Sequence, residues 1–580
     1  MLNRDHLIER YNALKSLERI PELDTRSSRR FLVDNSNSVL DEIIHAHDLF
    51  VVTGGYFGDE GKGKIVFALA RHPLIEAVLR LNSGENAGHS NVYKGKDIVL
   101  HLTPSGIFVP GKICGIGGEC VMDPVTYVKQ EIDTFIGLEI DYKNRLFVGN
   151  VHLVGPHHKI LDFALSPPNS STLMGMSYVH ASKVMKKGLR LDDLFNDKDT
   201  QVEKLRKELG IYSDLLSSGG KDESMLKDEL HRFIETTERA NPEHIFAFFD
   251  APDKVEYILD LFSRMVVGNP DFPERRDIGQ LARDILKRGG KLMGECAQSY
   301  WLSNAVETHW RSSTSAQTHA AGSVASLGIN RHYREIDINI FKTPGDSRVG
   351  IGSNPSGFVP QNYFSSKGYQ RLADLGDKCI DFDSIQRTYF ESIGKNGILE
   401  PQRFTDGSGT YIVDEAMAIA TARTFGECGS TTGKPRVTGI FDAVAARHVC
   451  DVQGPYAFIS ALDRGDSQDY VGITVAYVYH HPDGISTDSN GKVYENGDLI
   501  RIGEQYPNEN VLEHCYPIIK VMRGWKDSPI RFGTRKFKDP LPETLQEFLG
   551  VVEELTQFRI MGIGNGPDEG NVIYLKSEEK

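Results

Sequence analysis

One stretch constrains this chain more than any other: DLFVVTGGYFGDEGKGKIVFALARH, residues 48–72. It opens with an apolar run of strand length, passes through closely spaced glycines, and continues into Ile65, Val66, Ala68 and Leu69 at spacing that suits a helix face. A strand that enters a helix through a glycine loop leaves backbone N–H groups turned toward an anion, with the positive end of the helix behind them. Lys62 and Lys64 add mobile charge, so the loop reads as a phosphate site. Gly58 to Lys64 fits the GxxxxGK part of a P-loop, but Ile65 stands where that motif needs Ser or Thr for magnesium, which disfavours an ordinary P-loop GTPase. Asp59 and Glu60 lie inside the same loop. Carboxylates beside a phosphate are repelled unless a metal or a proton transfer uses them.

A second small-residue segment, NSGENAGHS at 82–90, sets Asn86 and His89 three residues apart. An isolated histidine is usually structural. Beside a carboxylate-bearing phosphate loop it becomes a candidate general acid, because imidazole delivers a proton near neutral pH.

The rest of the chain alternates. IVLHL, GKICGIGG, HIFAFFD, VGITVAYVYH and FRIMGIG read as strands, and LARDILKRGG and LPETLQEFLGVVEEL as helices. That alternation predicts an α/β fold around a large, mainly parallel central sheet with flanking helices. Residues 1–46 read as an N-terminal helical extension, with Leu7, Ile8, Tyr11, Leu14 and Leu17 at helical spacing ahead of an arginine-rich turn at Arg26 to Arg30. Residues 47–580 then form one catalytic domain with elaborations near 195–245, 355–410 and 482–500. With 66 basic and 80 acidic residues the formal charge is -14, which argues against nucleic acid as a partner. Seven cysteines without CxxC spacing, no apolar leader and no run of about 18 apolar residues point to a cytoplasmic protein that does not engage a membrane.

GDEGKGK at 58–64, NAGHS at 86–90 and VLHLTPSGIFVPGKICGIGGECVMDP at 99–124 together resemble adenylosuccinate synthetase, the purine-biosynthetic ligase whose pattern is GDEGKGK, NAGHT, LHLLPSG. The resemblance continues through GPHHKILD, KKGLRLDDL, GECAQ, SRVGIG, FGECGSTTGKPRVTGIFDAVAAR, ISALD and GNGPD, and spans residues 47–580 outside the three elaborations. It implies a homodimeric enzyme that joins IMP and L-aspartate using GTP and magnesium, giving adenylosuccinate, GDP and phosphate. By the same resemblance Asp59 takes the purine N1 proton and binds Mg2+, with the Gly88 carbonyl as a second metal contact. His89 acts as the acid in phosphoryl transfer, and Lys62 and Gln298 complete the catalytic set. Gly58, Glu60, Gly61, Lys62 and Gly63 line the GTP phosphates, Asp463 accepts from guanine, and Gly566 and Pro567 flank the base. Asn86, Thr172, Lys186, Gln298 and Ser313 match IMP contacts. Thr432, Lys434 and Arg436 face the aspartate carboxylates.

Recognition positions depart from the pattern more than catalytic ones. Met174, Lys186 and Lys434 stand where arginines are usual, Ala461 replaces a lysine over guanine, and ETHWRSSTSA brings in Trp310 and Arg311 and loses an amide at Ala316. Lysine keeps an arginine's charge but not its bidentate fork. Two further readings therefore stand beside the first: a related ligase acting on a modified or deoxy purine nucleotide or with another amine donor, and a non-catalytic guanine-nucleotide-binding paralogue.

Overall fold

The computed structural model describes residues 27, 29–166, 172–237, 242–376, 380–429, 433–482, 484–531 and 540–579. Its centre is an eleven-stranded sheet, here β1 (Arg29–Val33), β2 (Leu49–Gly54), β3 (Ile75–Arg80), β4 (Ile113–Ile116), β5 (Leu146–Val148), β6 (Glu274–Arg275), β7 (Lys291–Ser299), β8 (Glu335–Lys342), β9 (Tyr456–Ser460), β10 (Arg559–Gly564) and β11 (Val572–Glu579). The spatial order is β1-β11-β10-β9-β8-β2-β7-β3-β4-β5-β6. From β10 to β6 every pairing is parallel. β11 alone runs against the others, pairing antiparallel with β10 on one side and with the edge strand β1 on the other.

Strand β2 shows why the sheet reads as a continuous apolar run. All six of its residues are buried. Phe50 and Val52 point into one core while Leu49 and Val51 point into another on the opposite face. A parallel strand covered by helices on both sides needs no polar alternation.

The structure corrects the sequence reading in three places. The turn expected at Arg26 to Arg30 is a strand from Arg29 onward, bonded to the C-terminal β11; the helix expected around Leu7 to Leu17 lies outside the described residues. HIFAFFD is helix Glu243–Asp250 rather than a strand, burying Ile245, Phe246 and Phe248. A short apolar run without polar alternation fits either element, and here the packing against helix Pro156–Leu165 decides. VGITVAYVYH is a strand, Tyr470–Tyr479, but it belongs to a separate four-stranded sheet with Phe441–Asp442, Leu499–Arg501 and Cys515–Arg523.

The three segments read as elaborations each form compact structure. The first carries helices Lys198–Ser218 and Glu223–Thr237 and leads into Glu243–Asp250. The second contributes helix Phe382–Glu391 and the hairpin Arg403–Asp406/Gly409–Ile412 to a core shared with helix Val413–Thr424. The third holds the small hairpin Ile485–Thr487/Val493–Glu495. Among the described residues no helix is long and apolar enough to cross a membrane.

Candidate active site

The carboxyl ends of β2, β7, β8 and β9 converge on the phosphate loop, the end of a parallel sheet where ligands bind in α/β proteins. Helix Lys62–Ala70 starts at Gly61, which has φ 81° and provides no side-chain cap. The first N–H groups of the helix are therefore left for an anion, and Gly61 itself is solvent-exposed at the loop mouth.

The side chain of Glu60, expected among the residues that line the phosphates, faces inward, so the part of the residue left for a phosphate is its backbone. Its Oε1 accepts from the Gly58 N–H at 2.7 Å and from Ser299 Oγ at 2.5 Å, and its Oε2 from Lys62 Nζ at 2.6 Å. Burial alone would raise its pKa, but Lys62 beside it holds the carboxylate below the ordinary value. Ser460 Oγ at the end of β9 donates to the Glu60 carbonyl at 2.6 Å. The loop acid is thus an internal tie, and Lys62 rests on it.

Asp59 points the other way. It has φ 57°, a left-handed conformation that turns its carboxylate out of the loop, where it meets the guanidinium of Arg436. Arg436 is 377 positions along the chain from Asp59, so the fold brings the phosphate loop and the expected aspartate-binding cation into contact. Thr432 lies outside the described residues. Lys434 is half-buried, and its carbonyl accepts from the Gly429 N–H at 2.9 Å.

His89 begins a small strand, His89–Tyr93, and packs over the phosphate helix: a Cβ on Gly63 would come within 3.0 Å of His89 Cβ. Its Nδ1 contacts Glu295 Oε1, and the Arg80 guanidinium lies 3.0 and 3.2 Å from its two ring nitrogens. Glu295 is held in turn by the Ser105 N–H at 2.7 Å and Ser105 Oγ at 2.9 Å. Burial, with Arg80 second, pushes the imidazole down to about 4 despite Glu295, so the resting ring is neutral at neutral pH.

The last residues of β7 join these groups. Glu295 touches His89 and Ser299 touches Glu60; between them the strand pairing slips, and Gln298 takes φ 59°. The Gln298 amide oxygen is buried and finds no hydrogen-bond partner among the described residues. Asn86, nearby in the 82–90 loop, accepts from Ser83 Oγ at 3.0 Å and approaches Thr314 Oγ1 at 3.5 Å. Ser313, expected to contact the nucleotide, donates to the Trp310 carbonyl at 2.9 Å, and the neighbouring Thr314 is the hydroxyl facing Asn86. Trp310 itself is 65% exposed.

On the other side of the loop, Asp463 is largely buried in a 3-10 turn that begins at Ala461, with Arg531 Nε at 3.9 Å. Lys64 Nζ donates to the Gly566 carbonyl at 2.7 Å, which ties the phosphate helix to the GNGPD loop; burial, opposed by Asp463, lowers the Lys64 pKa to about 8. Pro567 is exposed beside it, Gly88 and Thr172 are half-buried, and Lys186 is exposed on a separate turn at φ 59°. Sequence reasoning missed Arg80, Glu295 and Thr314, and read Lys64 as mobile charge where the structure ties it to the Gly566 carbonyl. The available signal for Glu295 was an acid inside an apolar strand, LMGECAQ.

A family model described as adenylosuccinate synthetase matches residues 51–573. The adenylosuccinate synthetase of Leishmania major is 46% identical over 582 residues, covering 98% of this chain and 81% of its own length. Adenylosuccinate synthetase 2 of Trypanosoma cruzi (strain CL Brener) is 46% identical over 585 residues, covering 98% of this chain and 94% of its own. Among solved structures, the fully ligated adenylosuccinate synthetase from Plasmodium falciparum superposes with a TM-score of 0.60 at 21% identity, over 91% of this chain and all of that one, a likeness of fold.

Proposed function

The chain belongs to the adenylosuccinate synthetase family, and from that membership we propose that it joins IMP and L-aspartate, with GTP converted to GDP and phosphate. The observation that carries this reading is the Asp59 carboxylate, turned out of a phosphate loop and in contact with Arg436. Few reactions need an acid inside a triphosphate site. One that does is phosphorylation of a purine 6-oxo group, where removal of the N1 proton makes O6 nucleophilic.

In this reading Asp59 accepts the N1 proton, O6 attacks the γ-phosphorus, and GDP leaves. The aspartate amine then attacks C6 and phosphate departs. Gly61, Gly63 and Lys62 neutralise the phosphates, and Gln298, whose amide oxygen has no partner here, orients the base. His89 donates a hydrogen bond or proton to the transferring phosphoryl oxygen; its low affinity for a proton in the resting state rises as negative charge approaches. A positioned acid of this kind is worth about 10²–10⁴ in rate. Arg436 and Lys434 hold the aspartate carboxylates.

Asp59 and Gly88 offer hard oxygen donors of the type magnesium takes. Magnesium held by these two residues would supply charge neutralisation for the transferring phosphate. The protein acts as a cytoplasmic homodimer, in which the exposed Lys186 of one protomer reaches the nucleotide phosphate of its partner; Val184, 82% exposed, and Met185 beside it offer an apolar contact at that turn.

Purified protein given IMP, GTP, L-aspartate and magnesium will form adenylosuccinate, followed by its absorbance, with one phosphate released per product. Absence of product with all four present sinks the reading.

A further inference from the structure

Helix Pro156–Leu165 lies behind three segments that carry the expected acceptor-nucleotide contacts. Lys159 pairs with Asp123, whose N–H donates to Glu85 at 2.6 Å, next to Asn86. Asp162 accepts from the Gly175 N–H at 2.9 Å and steadies the loop after Thr172. Just before the helix, the Leu153 N–H donates to the Leu189 carbonyl at 2.9 Å, and His152 Nε2 lies 3.3 Å from the Lys187 carbonyl. The turn bearing Lys186 therefore rests on the approach to the helix.

The first turn of that helix is gripped from outside. Glu208, on helix Lys198–Ser218, reaches His158 Nε2 at 3.0 Å with one carboxylate oxygen and His157 Nε2 at 3.3 Å with the other; all three side chains are buried. The same carboxylate presses against Gly188, where a Cβ would meet Glu208 Oε1 at 2.5 Å. A segment that reads from the sequence as peripheral thus closes beneath the Lys186 turn.

These three residues are also the one group among the described residues whose ligand atoms could converge on a metal ion. The hydrogen bonding assigns them otherwise. The Gly155 N–H donates to His158 Nδ1 at 3.0 Å, so the ring proton sits on Nε2 and is given to Glu208. A metal-bound imidazole carries its proton on the nitrogen away from the metal and donates it.

We propose that Glu208 is a positioning residue for the acceptor-nucleotide pocket: by holding His157 and His158 and backing Gly188, it fixes the helix and the turn on which Asn86, Thr172 and Lys186 depend. This inference rests on the reading that IMP binds at those residues. It gives the 198–218 helix a kinetic role without any contact between that helix and the reacting atoms.

Glu208→Gln keeps the volume and an acceptor for His158 and removes the charge. Its KM for IMP will rise about tenfold, while kcat and the KM for GTP stay within about twofold. Amide hydrogen exchange will quicken across 172–189 and stay unchanged across 459–468. Glu208→Asp, which keeps the charge but shortens its reach to the two rings and Gly188, will give the same split and serves if Glu208→Gln does not fold. An unchanged KM for IMP in a folded variant overturns the proposal, as does an equal loss in every parameter. Stoichiometric zinc in the wild-type protein that is lost in Glu208→Gln also overturns it. If the wild-type protein makes no adenylosuccinate, the functional reading has failed, and the exchange pattern alone then decides the role of Glu208.

Discussion

Asp59 and Gln298 are both held at left-handed φ, 57° and 59°, which costs a residue with a Cβ on the order of 1–2 kcal/mol. In each case the turn sets a polar group apart from its own loop: the Asp59 carboxylate meets Arg436, and the Gln298 amide oxygen has no partner among the described residues. Asn tolerates that conformation as well as Asp does, so Asp59→Asn isolates the carboxylate from the turn. We expect kcat to fall at least about 10³-fold with GTP affinity changed by no more than a few-fold, measured by steady-state kinetics and nucleotide titration. A variant keeping a tenth of the activity would remove Asp59 as the base. The placement of Asp59 and His89 is legible in the sequence because short motifs put the residues in or beside a phosphate loop. Glu295 is not, because its partner His89 is 206 positions away and only parallel pairing of β7 with β3 and β2 brings them together. Ser313 and Thr314 show a finer limit: adjacent hydroxyls are equivalent in sequence, and the backbone alone decides which one faces Asn86.

At the scale of elements, strand β2, its loop and the helix that follows were readable end to end, since each has a period or a glycine signature of its own. β1 was not: RRFLV carries two arginines, and what makes it a strand is the free edge of β11, hundreds of residues later. Phe31 in β1 is 1% exposed and packs into the core around β9 and β10. Phe31→Ala will lower unfolding free energy by about 3–5 kcal/mol in urea titration. Four strands separate β1 from β2, so KM values at 25 °C will not move. A change confined to KM would instead tie this edge to the pocket. The helix at HIFAFFD eluded the sequence for the opposite reason: Ala247 on its exposed side is apolar like the buried Ile245, Phe246 and Phe248, so no polar residue marks its period within the run.

Across the whole molecule, six of the described histidines share one electrostatic condition. Burial lowers His89, His152, His157, His180, His244 and His309 to about 4 from an ordinary value of 6.5. In the unfolded chain they take up protons first, so stability is full above about pH 6.5 and declines as the pH falls toward 4. Each contributes on the order of 1–3 kcal/mol to that loss. The urea midpoint will be lower at pH 5 than at pH 7.5; an equal or higher midpoint at pH 5 contradicts neutral burial. The acidic sum of -14 coexists with a cationic pocket, since Lys62, Lys64 and Arg436 all gather at one end of the sheet. The most direct test of phosphorylation at that pocket is the fate of the purine oxygen. With IMP labelled by ¹⁸O at the 6-position, the phosphate released in each turnover will carry the label. Unlabelled phosphate, with product still formed, would contradict a 6-phosphoryl intermediate and the role given to Asp59.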